Sequence, residues 1–123
     1  MPPIRVLIVD DEPLFSEALE AVLAGDERFE VVGRAASGEE AVARTPGLAP
    51  DVVLMDITMP RMDGLEATRR LAVEAPSSRV VVLTESDLRG DVVRAERAGA
   101  AGYVAKTRIG IHLRETIAAV ARA

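Results

Sequence analysis

The stretch VVLMD at residues 52–56 is an unbroken apolar run that ends on an aspartate. The run is short and rich in β-branched residues, which favours a strand that is buried on both faces. A carboxylate at the edge of a core needs a hydrogen-bond partner or a cation to offset its burial. Asp56 therefore predicts that polar or charged groups from elsewhere in the chain gather at the end of this strand.

Segments with strand and helix patterns alternate along the rest of the chain. Apolar β-branched runs predict five strands, at 4–9, 29–35, 51–55, 79–83 and 102–105. Helical spacing follows each of them, at 13–25, 38–47, 64–75, 88–98 and 111–122. Continuous apolar strands alternating with helices indicate a parallel sheet that is covered on both faces. Right-handed crossovers then favour an α/β, flavodoxin-like (βα)5 doubly wound three-layer domain with a five-stranded parallel sheet, order 2-1-3-4-5.

The helical patterns also predict which side chains face the sheet. In the first helix these are Leu14, Ala18, Ala21, Val22 and Gly25, and in the last helix Ile111, Leu113, Ile117 and Val120. Pro46-Gly47 is expected to end the second helix. The fourth helix is rich in alanine and offers little large apolar surface, so we expect it to be among the least stable elements.

Composition limits the classes of function. The chain has 123 residues and is 49% hydrophobic, which is enough for one globular domain with a sizeable core. Its net charge of −5 argues against a direct grip on a nucleic-acid backbone. Without cysteine there is no disulfide, thiolate metal site or cysteine nucleophile. Neither a signal-peptide layout nor a membrane-spanning apolar run is visible, so a soluble, cytoplasmic protein with no membrane partner is expected.

Side chains suited to one reaction stand at the carboxyl ends of four predicted strands. Asp10 and Asp11 follow strand 1, Asp56 ends strand 3, Thr84 ends strand 4 and Lys106 follows strand 5. In a doubly wound sheet these ends lie at one edge, so the groups are expected to converge. Clustered carboxylates repel one another, and Mg²⁺, which prefers oxygen ligands, would offset that repulsion.

Together these groups suit phosphoryl transfer. Mg²⁺ and Lys106 would neutralise the oxygens of a phosphoryl group, and the Thr84 hydroxyl would donate a hydrogen bond to one of them. Asp56 is the expected nucleophile, with an aspartyl phosphate as product. Lys106 is the one lysine among fifteen Lys and Arg residues, and an ammonium is a compact partner for one phosphoryl oxygen and one carboxylate.

Each of these residues, taken singly, has a simpler explanation. Asp10 and Asp11 suit a helix N-cap, Asp56 a turn, Thr84 a strand end and Lys106 an ordinary surface position. The coincidence favours the phosphoryl site, because four separate strand ends carry the groups that one reaction needs.

The motifs resemble those of the receiver domain of two-component response regulators. The resemblance covers the whole chain and rests on VDDE (9–12), MDITMPRMDG (55–64), VVVLT (80–84) and AGAAGYVAK (98–106), in the family's order and spacing. The stretch FEVVGRAASGEEAV and the end of the fourth motif are most similar to the NarL/FixJ-type branch. That branch usually carries a C-terminal LuxR-type helix-turn-helix domain, so residues 1–123 are expected to be a receiver domain whose output domain is absent from this chain.

The resemblance implies roles for individual residues around a Mg²⁺ site. Asp56 would be the phospho-acceptor. Asp11 and Asp56, with the backbone carbonyl of Thr58, would bind Mg²⁺ directly, and Asp10 would bind it through water. Lys106 would contact the phosphoryl group.

The resemblance also implies a signalling switch and its partners. A sensor histidine kinase would supply the phosphoryl group, and the chain would catalyse only its own phosphorylation and autodephosphorylation, so it would not be an enzyme. Thr84 and Tyr103 would be the switch pair that relays the change. Homodimerisation could follow phosphorylation, and DNA would be bound only through the absent helix-turn-helix domain.

Two positions depart from the family pattern. Glu85 follows Thr84 where the family usually has a small residue, and a long anion there could slow the entry of a phosphodonor or alter dephosphorylation. Thr107 follows Lys106 where many members have proline. A trans peptide is expected there, since a cis bond costs a non-proline residue about 3 kcal/mol.

Three other functions compete with the phosphorylated switch. An atypical receiver, acting as a phosphorylation-independent interaction module, is favoured by Glu85 and Thr107 but opposed by the retained site residues. A phosphatase of the haloacid dehalogenase type would need a second aspartate where this chain has Thr58. A flavodoxin-like cofactor binder would need a loop rich in Ser, Thr and Gly after strand 1, where this chain has two aspartates and a glutamate.

Overall fold

A computed structural model describes residues 2–57, 64–85 and 89–123 and contains one five-stranded parallel sheet. Its strands are β1 (Ile4–Val9), β2 (Phe29–Ala35), β3 (Val52–Asp56), β4 (Arg79–Thr84) and β5 (Gly102–Ala105), in the order β2-β1-β3-β4-β5. Its helices are α1 (Pro13–Ala24), α2 (Gly38–Leu48), α3 (Gly64–Glu74), α4 (Arg89–Ala98) and α5 (Ile109–Arg122), with a 3₁₀ turn at Lys106–Arg108. The predicted fold class and strand order are confirmed.

Helices cover both faces of the sheet. On one face, Leu19 of α1 and Leu113 of α5 pack with Val6 of β1. On the other face, Leu71 of α3 packs with Leu7 of β1, and residues of α2 and α4 join the same cluster. Successive strand residues thus alternate between two aliphatic cores, as the pleat of a strand requires. The predicted three-layer arrangement is confirmed.

Some element boundaries differ from the prediction. The helix α2 continues through Pro46 and ends only at Leu48. A proline in the last turn removes just one N–H, so the helix can continue past it. The chain then turns at Ala49, where φ is 47°. The helix α5 begins at Ile109, two residues earlier than predicted, because the 3₁₀ turn leads directly into it. The predicted start of the fourth helix, residue 88, lies outside the described residues.

Of the five positions predicted to face the sheet in α1, Val22 alone packs against the core, and the other four are exposed. Leu14 is 81% exposed, whereas Ser16, Leu19 and Leu23 are buried. In α5, Ile111 is also exposed, but the other three predicted positions are buried as expected. The exposed leucine and isoleucine both belong to the first turn of their helices.

Candidate functional site

The strand register brings three aspartates together at one edge of the sheet. Val9 lies beside Met55 in the parallel pairing of β1 with β3, so the residues that follow them, Asp10 and Asp56, are neighbours. Carboxylate oxygens of Asp10, Asp11 and Asp56 all lie within 4.8 Å of one another. The predicted convergence of these side chains is therefore observed.

Asp10 is a buried carboxyl group with one oxygen left for a cation. Its Oδ1 accepts a hydrogen bond of 2.8 Å from the backbone N–H of Glu12. Its Oδ2 is buried and, within the part of the chain that the structure describes, has no hydrogen-bond partner. Burial raises the pKa of Asp10 to about 6; the hydrogen bond from Glu12 opposes the rise, and the nearby charge of Asp56 adds to it.

The aspartate cluster fits a divalent cation that prefers oxygen ligands. Two of its carboxylates, Asp10 and Asp56, are buried and the third, Asp11, is exposed, so the cluster has one open side for water or an anionic ligand. Buried like charges are costly unless positive charge offsets them. Mg²⁺ suits such a site, because it binds a few carboxylates and keeps several waters. Thr58, the predicted carbonyl ligand, lies outside the described residues.

Asp10 and Asp11 do not cap α1. The N-cap residue is Glu12, whose side chain makes no capping hydrogen bond, and Pro13 occupies the first helical position. Asp10 instead bonds the backbone at the turn that leads into the helix. The simpler explanation of the aspartate pair as a helix cap is therefore wrong.

Lys106 reaches Asp56 from the end of β5. Its Nζ lies 3.3 Å from Oδ2 of Asp56 and 3.1 Å from Oε1 of Glu85. The same ammonium lies 4.7 Å from the centre of the Phe15 ring. Burial by itself lowers the pKa of Lys106, but the charges and hydrogen bonds of Asp56 and Glu85 outweigh burial and raise it. The peptide bond between Lys106 and Thr107 is trans, as expected.

Thr84 and Tyr103 occupy the same face of the sheet. Thr84, the last residue of β4, is fully buried and pairs with Ala105. Tyr103 pairs with Val82 and is 41% exposed. Because side chains alternate along a strand, Thr84, Val82 and Tyr103 point to one side, which is the side that α2, α3 and α4 cover. The predicted switch pair is thus a buried hydroxyl and a partly exposed ring on neighbouring strands.

The start of α3 packs directly against the acceptor strand. A Cβ atom on Gly64 would lie 2.6 Å from Cα of Ile57 and even closer to the carbonyl oxygen of Asp56. Only glycine allows this approach. Sequence analysis placed Gly64 at the start of the third helix, but it gave no role to its missing side chain or to the Phe15 ring. The signal for Gly64 was its position at the first residue of a helix after the acceptor strand.

Comparison with known proteins identifies the family. The family model described as "Response regulator receiver domain" matches residues 6–118. The chain is 44% identical over 117 residues to the response regulator GacA of Pseudomonas viridiflava, covering 95% of this chain and 53% of GacA. It is 40% identical over 119 residues to the transcriptional regulatory protein DegU of Brevibacillus brevis, covering 97% of this chain and 50% of DegU. It thus spans about half the length of the curated relatives it matches.

The structural comparison agrees with the sequence comparison. The signal receiver domain of the response regulator NarL from Mycobacterium tuberculosis superposes with a TM-score of 0.93 at 29% identity, covering 100% of this chain and 99% of that one. The predicted likeness to the NarL branch is confirmed. In the described part of this chain, no helix combines the length and apolarity needed to cross a membrane. The chain belongs to the response regulator receiver domain family of two-component signalling systems.

Proposed function

We propose that this chain is a phosphorylation-dependent switch that accepts a phosphoryl group on Asp56 from a sensor histidine kinase. The observation that carries the proposal is the 3.3 Å contact between Lys106 Nζ and Asp56 Oδ2, made beside the cluster that Asp56 forms with Asp10 and Asp11. Asp56 therefore has an ammonium on one side and a cation-binding group of oxygens on the other. Such surroundings suit a nucleophile that must meet an anionic donor.

The aspartate cluster would hold Mg²⁺ in this function. Asp11 and Asp56 would be direct ligands together with the carbonyl of Thr58, and Asp10 would bind through water. The unpartnered Oδ2 of Asp10 and its raised pKa support this assignment, since both mark a place where positive charge is favourable. When bound, the ion supplies charge that offsets the repulsion among carboxylates and phosphoryl oxygens.

The residues of the chain itself perform the transfer. A carboxylate oxygen of Asp56 forms the new bond to phosphorus as the bond to the donor's imidazole nitrogen breaks. The ammonium of Lys106 contacts one phosphoryl oxygen and offsets the negative charge that the phosphoryl group brings to Asp56. The hydroxyl of Thr84 donates a hydrogen bond to another oxygen. The product is an aspartyl phosphate, which is later hydrolysed in the same site.

Tyr103 would report the new state to the surface. As the Thr84 hydroxyl moves toward the phosphoryl group it vacates space, and the Tyr103 ring can turn inward. A groove of about 290 Å³ lies beside this ring and is lined also by Ala95 and Glu96 of α4. The buried residues of α4 are two alanines, Ala95 and Ala98, which suits an element that moves at low cost. Phosphorylation would shift a population between two such arrangements.

The output of the switch is proposed to be transcription regulation in the cytoplasm. The name of the relative DegU supports this output, as does the share of that relative, 50%, that the chain covers. A helix-turn-helix domain outside this chain would bind DNA, because a net charge of −5 does not favour a phosphate backbone. Homodimerisation on phosphorylation would be the step between the two events.

The test is the intact mass of the protein after incubation with acetyl phosphate and Mg²⁺. Wild type should gain about 80 Da, the mass of one phosphoryl group carried by the nucleophilic carboxylate. Asp56→Asn should gain nothing, and chelation of Mg²⁺ should abolish the adduct. The control Asp26→Asn changes an aspartate at the opposite edge of the sheet and should keep it.

An interaction module that is never phosphorylated remains the second candidate, and the ion pair of Lys106 with Glu85 is the observation that favours it. It would be supported if folded wild type formed no adduct with acetyl phosphate and none with a phosphorylated histidine kinase.

A further inference from the structure

Glu85 forms a second ion pair at the phosphoryl site. Its Oε1 lies 3.1 Å from Lys106 Nζ, which is as close as the 3.3 Å contact that Lys106 makes with Asp56. The Glu85 side chain is 68% exposed and that of Lys106 only 14%. Glu85 therefore stands at the solvent side of the lysine, where a donor must pass.

This ion pair opposes the arrival of a phosphoryl group in two ways. Lys106 is the cation that a phosphoryl oxygen must contact, so the oxygen has to share or replace the Glu85 carboxylate. The Glu85 carboxylate also repels any anionic donor that approaches Asp56, because like charges repel strongly at short distance. Both effects fall on the step at which the donor first enters the site.

We propose, resting on the proposed function, that Glu85 is a specificity-determining residue that slows phosphoryl acceptance from small free anions. A free acyl phosphate has only its contacts within the site to offset the repulsion from Glu85. A phosphohistidine carried by a docked protein also draws on the binding free energy of the whole interface. Glu85 thus favours a protein donor over a metabolite that could phosphorylate the switch without a signal.

The reaction with acetyl phosphate shows where the charge matters. An oxygen of the Asp56 carboxylate forms a bond to phosphorus, the bond between phosphorus and the acetyl oxygen breaks, and acetate leaves with the electron pair. No proton transfer is needed, because nucleophile and leaving group are both carboxylates. The donor therefore enters as an anion beside Glu85, where Lys106, together with Mg²⁺ when it is bound, would oppose the repulsion.

The effect is assigned to charge and not to size. A side chain that is 68% exposed can swing away from the site into solvent. The substitution Glu85→Gln keeps the length and shape of the side chain but removes its charge, whereas Glu85→Ala removes both. Glu30, an exposed residue near the start of β2, lies at the opposite edge of the sheet, so Glu30→Gln makes the same change in net charge far from the site.

The experiment compares rates of adduct formation with Mg²⁺ present, followed by intact mass at low ionic strength. With acetyl phosphate, Glu85→Gln should react about fivefold to tenfold faster than wild type, and Glu30→Gln at the wild-type rate. With phosphoramidate, whose protonated nitrogen reduces its net negative charge, the gain should be smaller. Added salt should narrow the gap between wild type and Glu85→Gln, since it screens an exposed charge.

Equal rates for wild type and Glu85→Gln would overturn the inference and leave the proposed function intact. A gain for Glu85→Ala without a gain for Glu85→Gln would overturn it too, because the barrier would then be steric. If Glu85→Gln also forms no adduct with either small donor, the inference fails, because removal of the charge then opens no route. The proposed function fails only if a phosphorylated histidine kinase gives no adduct as well.

Discussion

The ammonium of Lys106, at the end of β5, lies 3.3 Å from a carboxylate oxygen of Asp56, at the end of β3. The strand β4 lies between the two, so the lysine must reach across one complete strand to make this contact. Its Nζ also contacts the Phe15 ring, 4.7 Å away, so an aromatic face helps to hold the extended side chain in place. The contact therefore depends on a long side chain with a charged end.

Replacement of Lys106 by methionine is expected to slow phosphorylation of Asp56 by about a hundredfold, the usual cost of losing one charged group that stabilises a transition state. Lys106→Arg should recover part of the rate, since it keeps the charge but not the shape. The rate with acetyl phosphate and Mg²⁺ measures both effects. Arg79→Met, which removes a cation at the opposite end of β4, is the control and should react like wild type.

Mg²⁺ is expected to stabilise the folded protein through Asp11. A ligand that binds only the folded state adds about 1.4 kcal/mol to the free energy of unfolding at a concentration ten times its dissociation constant. Asp11 is exposed, so Asp11→Asn should fold as well as wild type without metal but lose most of this gain. Urea unfolding with Mg²⁺ and with chelator gives the comparison. An equal loss in Asp26→Asn would argue against a site at the aspartate cluster.

The stability of the metal-free protein is expected to depend on Asp10 and pH. Its pKa is raised from an ordinary 3.8 to about 6, so the fold favours the protonated carboxyl group. Well below pH 3.8 the group is neutral in both the folded and unfolded states and costs nothing. As the pH rises through 4 to 6, it ionises in the unfolded chain first, and wild type loses about 2 kcal/mol of unfolding free energy.

Asp10→Asn should therefore unfold at higher urea than wild type at pH 8 in chelator, with the advantage shrinking toward pH 4. Added Mg²⁺ should narrow this difference, because wild type gains a partner for the buried oxygen and the variant does not. A constant difference between the two proteins from pH 4 to pH 8 would contradict the role of ionisation.

Gly64→Ala is expected to destabilise the fold by about 2–3 kcal/mol, because the added methyl group would overlap the backbone of Asp56 and Ile57. The matched control is Gly47→Ala in the last turn of α2, where no atom lies within 4 Å of the added Cβ. That change should be neutral or mildly stabilising, since alanine favours a helix. Thermal unfolding of the two variants measures the difference, and similar losses in both would show that the close approach is not decisive.

The sequence predicted the sheet and the site more fully than it predicted the helix faces. Most residues of β1, β3 and β4 are buried, so apolar runs and the polar residue at the end of each run were enough to place Asp10, Asp56 and Lys106 at one edge. The buried face of the first helix was predicted incorrectly because it includes Ser16, a polar residue, while Leu14 is exposed. Apolar periodicity cannot detect a small buried serine or an exposed leucine.

The sequence also did not predict contacts between side chains that are far apart along the chain. Glu85 was recognised as unusual, but its ion pair with Lys106 depends on how two loops approach each other in space. The contact of the Phe15 ring with the same lysine is of this kind as well. Such contacts form between strands β4 and β5 and helix α1, and only a folded chain brings these elements together.

Tyr103 provides a direct optical measure of the proposed switch, because the chain has one tyrosine and no tryptophan. The ring is 41% exposed in the unphosphorylated protein, so its burial on phosphorylation should change the intrinsic fluorescence of the protein and its quenching by iodide. Thr84→Ala removes the hydroxyl that would couple the two events but leaves Asp56 in place. This variant should still gain the phosphoryl mass, more slowly, while its tyrosine stays as accessible to quencher as before.

Asp56→Asn serves as the second reference, since it should show neither the mass nor the optical change. If Thr84→Ala shows the full wild-type decrease in quenching once it is phosphorylated, then Tyr103 moves without the hydroxyl. The phosphoryl charge would in that case reach the surface by another path, of which α4 is the nearest candidate because it lines the groove beside the ring. Measuring mass and quenching on the same sample separates a failure to accept phosphate from a failure to transmit it.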